Sequence, residues 1–264
     1  MKLYGTAEVV GRNKHVGWME RKRRGIVVPP RKRYPSGTVC EDDGFRERLN
    51  PSYGLPEMRR PSKTALFSAA KTWDAKAAEA LLAASPELAH ATDPQGRTAL
   101  HLACGVKAGS RKTVEPNGLR TVAAFLKAGV GLEVEVPLDE EEGDFRATPL
   151  WYAVARGENL PLVRFLLTHG ADASYSLWAA VWRDDEVVCG ELLKTKPRLN
   201  LRAHGETPIF YAARLKRLKT LDLLIEAGAD PTIVDEKGRD AIDIARARRL
   251  PKSFIDRLTV RRAD

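Results

Sequence analysis

From residue 64 onward the chain repeats itself, and that repetition restricts its folds more than any single residue does. A small hydroxyl or acidic residue opens each unit: Thr64, Thr98, Thr148, Ser176, Thr207 and Asp240. The intervals are 34, 50, 28, 31 and 33 residues, and the stretch from 64 to 264 is 201 residues long. Six units of about 33 would fill it. A unit of this size cannot cover its own apolar face and must stack on its neighbours. A single-core globule is thereby disfavoured and a solenoid is expected.

Each unit has the same internal grammar. Thr98-Ala99-Leu100-His101-Leu102-Ala103, Thr148-Pro149-Leu150-Trp151-Tyr152-Ala153 and Thr207-Pro208-Ile209-Phe210-Tyr211-Ala212 open short helices. The threonine hydroxyl can accept from free N–H groups of the first turn. Proline fits the next position, where the N–H has no helical partner. A second helix follows with a leucine-rich face, as in Ala80-Leu81-Leu82, Leu162–Leu167 and Leu221-Asp222-Leu223-Leu224-Ile225. Leu223 is expected in the core. Gly129, Gly170 and Gly228 stop these helices, because a left-handed cap suits glycine. Asp93-Pro94-Gln95-Gly96 and Asp235-Glu236-Lys237-Gly238 have the chemistry of tight turns.

The chain resembles the ankyrin repeat, of a bacterial type, over about three quarters of its length. The resemblance is closest at Thr98, Thr148 and Thr207, weaker at Thr64 and Ser176, and Asp240–Ala245 looks like a terminal unit. It implies an all-α solenoid of five to six helix–turn–helix units with projecting fingers and a concave partner-binding face. It also implies a structural role for His101, hydrogen-bonded along the stack. Departures fall between 105 and 205. Gly105–Gly118 and Leu132–Ala147 are insertions, the connector Gly170–Tyr175 is too short for a finger, and the fourth unit lacks the Thr-Pro-Leu start and the glycine stop.

Two segments follow: an arm over 1–63 and the repeat domain over 64–264. Of the net charge of +9, +8 sits in the arm, which holds 15 Lys/Arg against 7 Asp/Glu. Arg21–Arg24 and Arg31–Arg33 are broken by prolines, and no apolar period is sustained, so the arm is expected to be disordered. Three readings of it stand: attachment to nucleic acid or an acidic surface, a solvated tail without a partner, or an extension preceding a natural start at Met58. Cys40, Cys104 and Cys189 are few and odd in number, which argues against a disulfide scaffold. The first 20 residues form no signal-peptide core, and no apolar run is long enough to span a bilayer. A cytoplasmic monomer without a membrane association is expected.

The candidates for chemistry are weak. In Gly105–Thr113 no lysine directly follows the second glycine, so a phosphate loop fails on spacing. His101 and Cys104 lie three apart on one helix, but a structural zinc site takes four ligands. Glu133–Asp144 carries seven carboxylates without the order of a calcium loop and reads as a solvated or partner-facing loop. No cofactor, metal or catalytic residue is expected.

The first-helix aromatics Trp151, Tyr152, Trp178, Trp182, Phe210 and Tyr211 divide between inter-repeat packing and surface contact, since aromatic and arginine side chains also anchor interfaces. The residues expected to touch a partner are Gln95, Arg97, Trp151, Arg156, Trp182, Arg183, Arg202, His204, Glu206, Arg214, Lys237 and Arg239. Non-catalytic binding of an unidentified protein is the leading reading. Nucleic-acid association through the arm and Arg246–Arg262 is the second. An enzyme using the 105–147 insertions is the third.

Overall fold

The computed structural model describes residues 61–107, 109, 117–137 and 145–261. The disordered-arm reading of 1–63, the Met58 start and the centre of the acidic run lie outside those residues, save that helix begins at Lys63. Six helix pairs follow in order: α1 (Lys63–Thr72) and α2 (Ala75–Ala84), α3 (Ala99–Cys104) and α4 (Asn117–Lys127), α5 (Pro149–Tyr152) and α6 (Leu160–Thr168), α7 (Ser176–Arg183) and α8 (Glu186–Leu193), α9 (Pro208–Leu215) and α10 (Leu218–Ala227), α11 (Ala241–Ala247) and α12 (Lys252–Arg261). A π turn over Ala153–Gly157 extends α5. First helices pack on first helices and second on second, as stacked units require.

The predicted caps hold where the local sequence supplies them. Thr148 Oγ1 accepts from Trp151 N at 3.3 Å, and Thr207 Oγ1 from Phe210 N at 3.4 Å, each with proline at the next position. Asp240 accepts from Asp243 N at 2.8 Å. Two expected openers do other things. Thr64 lies inside the first turn of α1, exposed, and Ser62 caps instead, accepting from Ala65 N at 3.2 Å. Ser176 is the first residue of α7, with Tyr175 before it and no side-chain cap. The connector there carries no finger, so the chain enters the helix directly and the serine hydroxyl is buried.

Gly129, Gly170 and Gly228 are left-handed at φ 83°, 89° and 90°, as expected of stops. The tighter turn between the two helices of a unit is less predictable. Trp73, Glu158, Asp184, Lys216 and Arg249 occupy it with φ between 49° and 57°. A bulky side chain in that region is strained. For Trp73 the contacts that hold it are visible: the ring is fully buried and its Nε1 donates to the Ala103 carbonyl of the next unit at 2.9 Å.

Every unit contributes buried apolar side chains to the core. Trp73, Phe125, Trp151, Phe210, Leu100, Leu162, Leu166 and Leu192 are its largest enclosed side chains. Each contributes about 1.5–3 kcal/mol relative to exposure. Leu221, Leu224 and Ile225 of α10 are buried, but Leu223 is not. It is half-buried and lines an open groove of about 660 Å³ between α8 and α10, with Val187, Leu218 and Phe254. The face of α10 that meets α9 is filled by residues 221, 224 and 225, and position 223 falls outside that stripe.

Candidate protein-binding surface

The fingers enter the N-termini of the first helices. In the first, Thr92 pairs with Thr98 across Asp93–Gly96. Asp93 Oδ1 accepts from Gln95 N and Arg97 N, each at 2.9 Å, and Oδ2 from Arg97 Nε at 2.7 Å. The last finger repeats the device: Asp235 accepts from Lys237 N, Arg239 N and the Arg239 guanidinium. Burial alone would raise both carboxyls, but the arginine beside each and the backbone N–H groups outweigh it and hold them below the ordinary value. The tips are thus ordered before any partner arrives, which limits the entropy lost on docking.

The finger before α9 is a two-residue turn. Ala203 pairs with Glu206, and His204 and Gly205 are both left-handed at φ 55° and 71°. Arg202 donates to the Gly205 carbonyl at 3.1 Å. Glu206 reaches back to a bidentate ion pair with Arg214, with N–O distances of 2.8 to 3.1 Å. Burial nevertheless raises its carboxyl above the usual value.

The second finger is the insertion. Strand β1 (Val136–Pro137) pairs antiparallel with β2 (Arg146–Ala147), Val136 facing Ala147. Just before β2, Phe145 is 5% exposed at the centre of an aromatic cluster. Its centroid lies 5.9 Å from Trp151, 5.4 Å from Tyr175, 5.9 Å from Trp178 and 5.5 Å from His204, the last nearly parallel at 5°. The third connector has no finger, running from Thr168 to Ser176. Phe145 spans that gap and joins the second finger to the fourth. Nothing in the repeat pattern marks it; the signal was the one aromatic residue of the insertion.

Of the residues expected to touch a partner, Gln95, Arg156, Arg183, Arg202, His204, Lys237 and Arg239 are exposed, and Arg97, Trp182, Glu206 and Arg214 are half-buried. Trp151 is 1% exposed and is a packing residue, not a surface contact. Its unit has lost its neighbouring finger, and the indole fills space under Phe145. Tyr152, Trp178 and Phe210 are buried as well, which leaves Trp182 and Tyr211 as the half-open rings of the six.

His101 is fully buried, with Nδ1 accepting from Thr98 N at 3.2 Å and its ring edge-on to Tyr152. Burial lowers it to about 4, so it packs as a neutral imidazole. Cys104 and Cys189 are free and buried; burial pushes both thiols up, Cys189 to about 12, leaving little thiolate for nucleophilic chemistry. Among the described residues no group of three His, Cys, Asp or Glu could hold a metal ion, and no helix is long and apolar enough to cross a membrane.

Comparison with known proteins agrees with this geometry. The family description "Ankyrin repeats (3 copies)" matches residues 114–235. An ankyrin repeat domain from Acinetobacter baumannii AYE superposes with a TM-score of 0.57 at 23% identity, covering 76% of this chain and 98% of that one. One chain of the solved complex between the Bd0816 predatory endopeptidase from Bdellovibrio bacteriovorus and immunity protein Bd3460 superposes with a TM-score of 0.53, with 23% identity over 74% of this chain and 97% of that one. Similarity in sequence reaches the ankyrin repeat domain-containing protein M-T5 of Myxoma virus (strain Lausanne), 32% identical over 104 residues. It also reaches the human palmitoyltransferase ZDHHC13, 27% identical over 151 residues. The matched stretches make up 35% and 41% of this chain but 22% and 24% of those relatives. The described residues form an ankyrin-repeat solenoid. Residues 114–235 match ankyrin repeats, and such repeats generally serve as protein-interaction modules.

Proposed function

We propose that this chain is a non-catalytic adaptor that binds a partner protein through its finger tips and the exposed sides of its first helices. The observation that supports this most directly is the pre-ordered finger. Asp93 and Asp235 each fix a turn through two backbone N–H groups and an arginine, while Gln95 and Lys237 project from it. Nothing inside the stack requires those side chains, and rigid loops on a rigid scaffold suit recognition. The stacked units hold neighbouring tips in register, so several weak contacts add up without much ordering of the array.

The test is affinity capture with the full chain beside a variant carrying Gln95→Ala, Arg202→Ala and Lys237→Ala. These changes leave both Asp-centred turns and the core intact. A partner that binds the full chain and is depleted about tenfold or more by the variant supports the reading, since exposed anchors of an interface contribute on this scale. Equal recovery of every bound protein by the two chains would remove the fingers from the interface.

A further inference from the structure

The opposite ends of the first helices carry a second pattern, separate from the fingers. Five of the six first helices end in a cation in the last turn: Lys71, Arg156, Arg183, Arg214 and Arg246. The helix macrodipole favours a cation there, which accounts for charge but not for arginine held in one pose. In three successive units a guanidinium lies over an aromatic ring. Arg156 sits 5.8 Å from the Tyr152 centroid, Arg217 6.0 Å from Trp182 and Arg214 5.0 Å from Tyr211. These sites are contiguous. Lys107 and Arg183 both pair with Glu158, at 2.8 and 2.9 Å, which links the second, third and fourth units. Trp182 and Arg217 link the fourth to the fifth.

Arg217 is the informative residue. It occupies the N-cap of α10 and makes no capping hydrogen bond, where Asp74, Asn159 and Asp185 cap the second helices of three other units. A cation is unfavourable at a helix N-terminus. Its Nε is buried without a hydrogen-bond partner among the described residues. Asp184 of the preceding unit caps α10 instead, accepting from Thr220 N at 3.0 Å. The position therefore breaks a local helix rule while its guanidinium lies over the Trp182 ring, a departure of the kind found at functional sites. Arg156 likewise has no carboxylate partner among the described residues and is exposed.

We propose that this row of first-helix ends receives an acidic, extended polypeptide segment, with the guanidiniums of Arg156 and Arg217, each held over a ring, as its central carboxylate sites. A stacked guanidinium is pre-organised, and its in-plane N–H edge matches a carboxylate bidentately. A polypeptide fits better than a nucleic acid on two grounds. Glu158 and Glu206 interrupt the row, which suits spaced carboxylates and repels a continuous run of phosphates. The rings a base would stack on, Tyr152, Trp182 and Tyr211, already carry guanidiniums.

The inference rests on the protein-binding reading and deepens its first-helix part; the finger variant and the arginine variants keep the failure of one distinguishable from the failure of the other. The experiment is fluorescence anisotropy on the full chain with a fluorescein-labelled peptide of glutamates spaced by glycine. A glutamine counterpart and a labelled oligothymidylate serve as the other probes. The glutamate peptide should bind, and its glutamine counterpart should not. Arg156→Gln and Arg217→Gln should each weaken binding about tenfold, the scale of one lost charge-assisted pair, while Arg156→Lys and Arg217→Lys should recover only part of it. The finger variant above should bind the peptide as the full chain does. Circular dichroism confirms that each variant is folded; Arg156, being exposed, keeps the test available if Arg217→Gln does not fold. No binding, equal binding by the arginine variants, or tighter binding of oligothymidylate would overturn the proposal.

Discussion

Asp184 is a carboxylate whose work is done in the next unit. It sits at the turn after α7 with φ 52° and accepts from both Thr220 N and Thr220 Oγ1, at 3.0 and 3.1 Å, 36 residues away. Thr220 lies in the first turn of α10, whose own N-cap residue is Arg217. Replacing Asp184 with alanine removes that helix's side-chain cap, a loss of about 1 kcal/mol. The acceptor is charged, which places such a bond toward about 1.5–3 kcal/mol. Alanine tolerates the left-handed region less well than aspartate, out of a penalty of about 1–2 kcal/mol for an ordinary residue. Together these predict a loss of about 2–3 kcal/mol for Asp184→Ala. Asp184→Asn keeps a carbonyl acceptor and the left-handed tolerance and should lose about 1 kcal/mol or less. Asp184→Gly loses the cap but relieves the backbone and should fall between them, at about 1–2 kcal/mol. Urea titration followed by far-UV ellipticity measures all three. A fall in m for the alanine variant would show the fourth and fifth units uncoupling. A loss below about 0.5 kcal/mol for alanine, within the range of an ordinary surface substitution, would refute the cross-unit cap. Equal losses for alanine and asparagine would do the same.

Gly157→Ala should destabilise by about 1–3 kcal/mol, because the new methyl would stand 2.4 Å from the Cys104 carbonyl oxygen and backbone must shift; thermal melting that matches the parent chain would contradict this close approach. Leu224→Ala should lose about 2–5 kcal/mol from a fully buried site, and Leu223→Ala, at the open groove, less than half as much; equal losses in paired urea titrations would mean that the two faces of α10 are misassigned. The buried His101 has a folded pKa of about 4 against an ordinary value of 6.5, so the unfolded chain binds its proton first as pH falls. The associated stability is complete above pH 6.5 and is lost as pH falls from 6.5 toward 4, by up to about 3 kcal/mol. Stability curves of the parent and His101→Gln over that range should differ by up to one proton in slope, and parallel curves would place the imidazole in water.

Features that depend on neighbours in the chain were readable from residue order. Thr148-Pro149 and Thr207-Pro208 start helices because a hydroxyl and an N–H three residues on share one turn. The period near 33 implied stacking because no unit can bury its own apolar face. The turns at Asp93–Gly96 and Asp235–Gly238 were likewise readable, since Asp93 and Asp235 act on N–H groups within four residues of themselves. Trp151 was harder, because the same pattern suits a core ring and an interface anchor, and only the absent third finger puts it under Phe145. Thr64 and Ser176 misled for a related reason: a helix start shifts by two residues, or loses its cap, when the preceding connector changes length.

Residue order alone thus set the unit, its helices and its turns, all of which rest on contacts a few residues apart. Stacking set the rest: which leucines are enclosed, that Asp184 caps a helix in the next unit, that Phe145 bridges a missing finger, and that three guanidiniums lie over rings in one row. Those contacts join residues far apart in the chain, and their geometry follows from how one unit seats on the next, which no period in the sequence encodes.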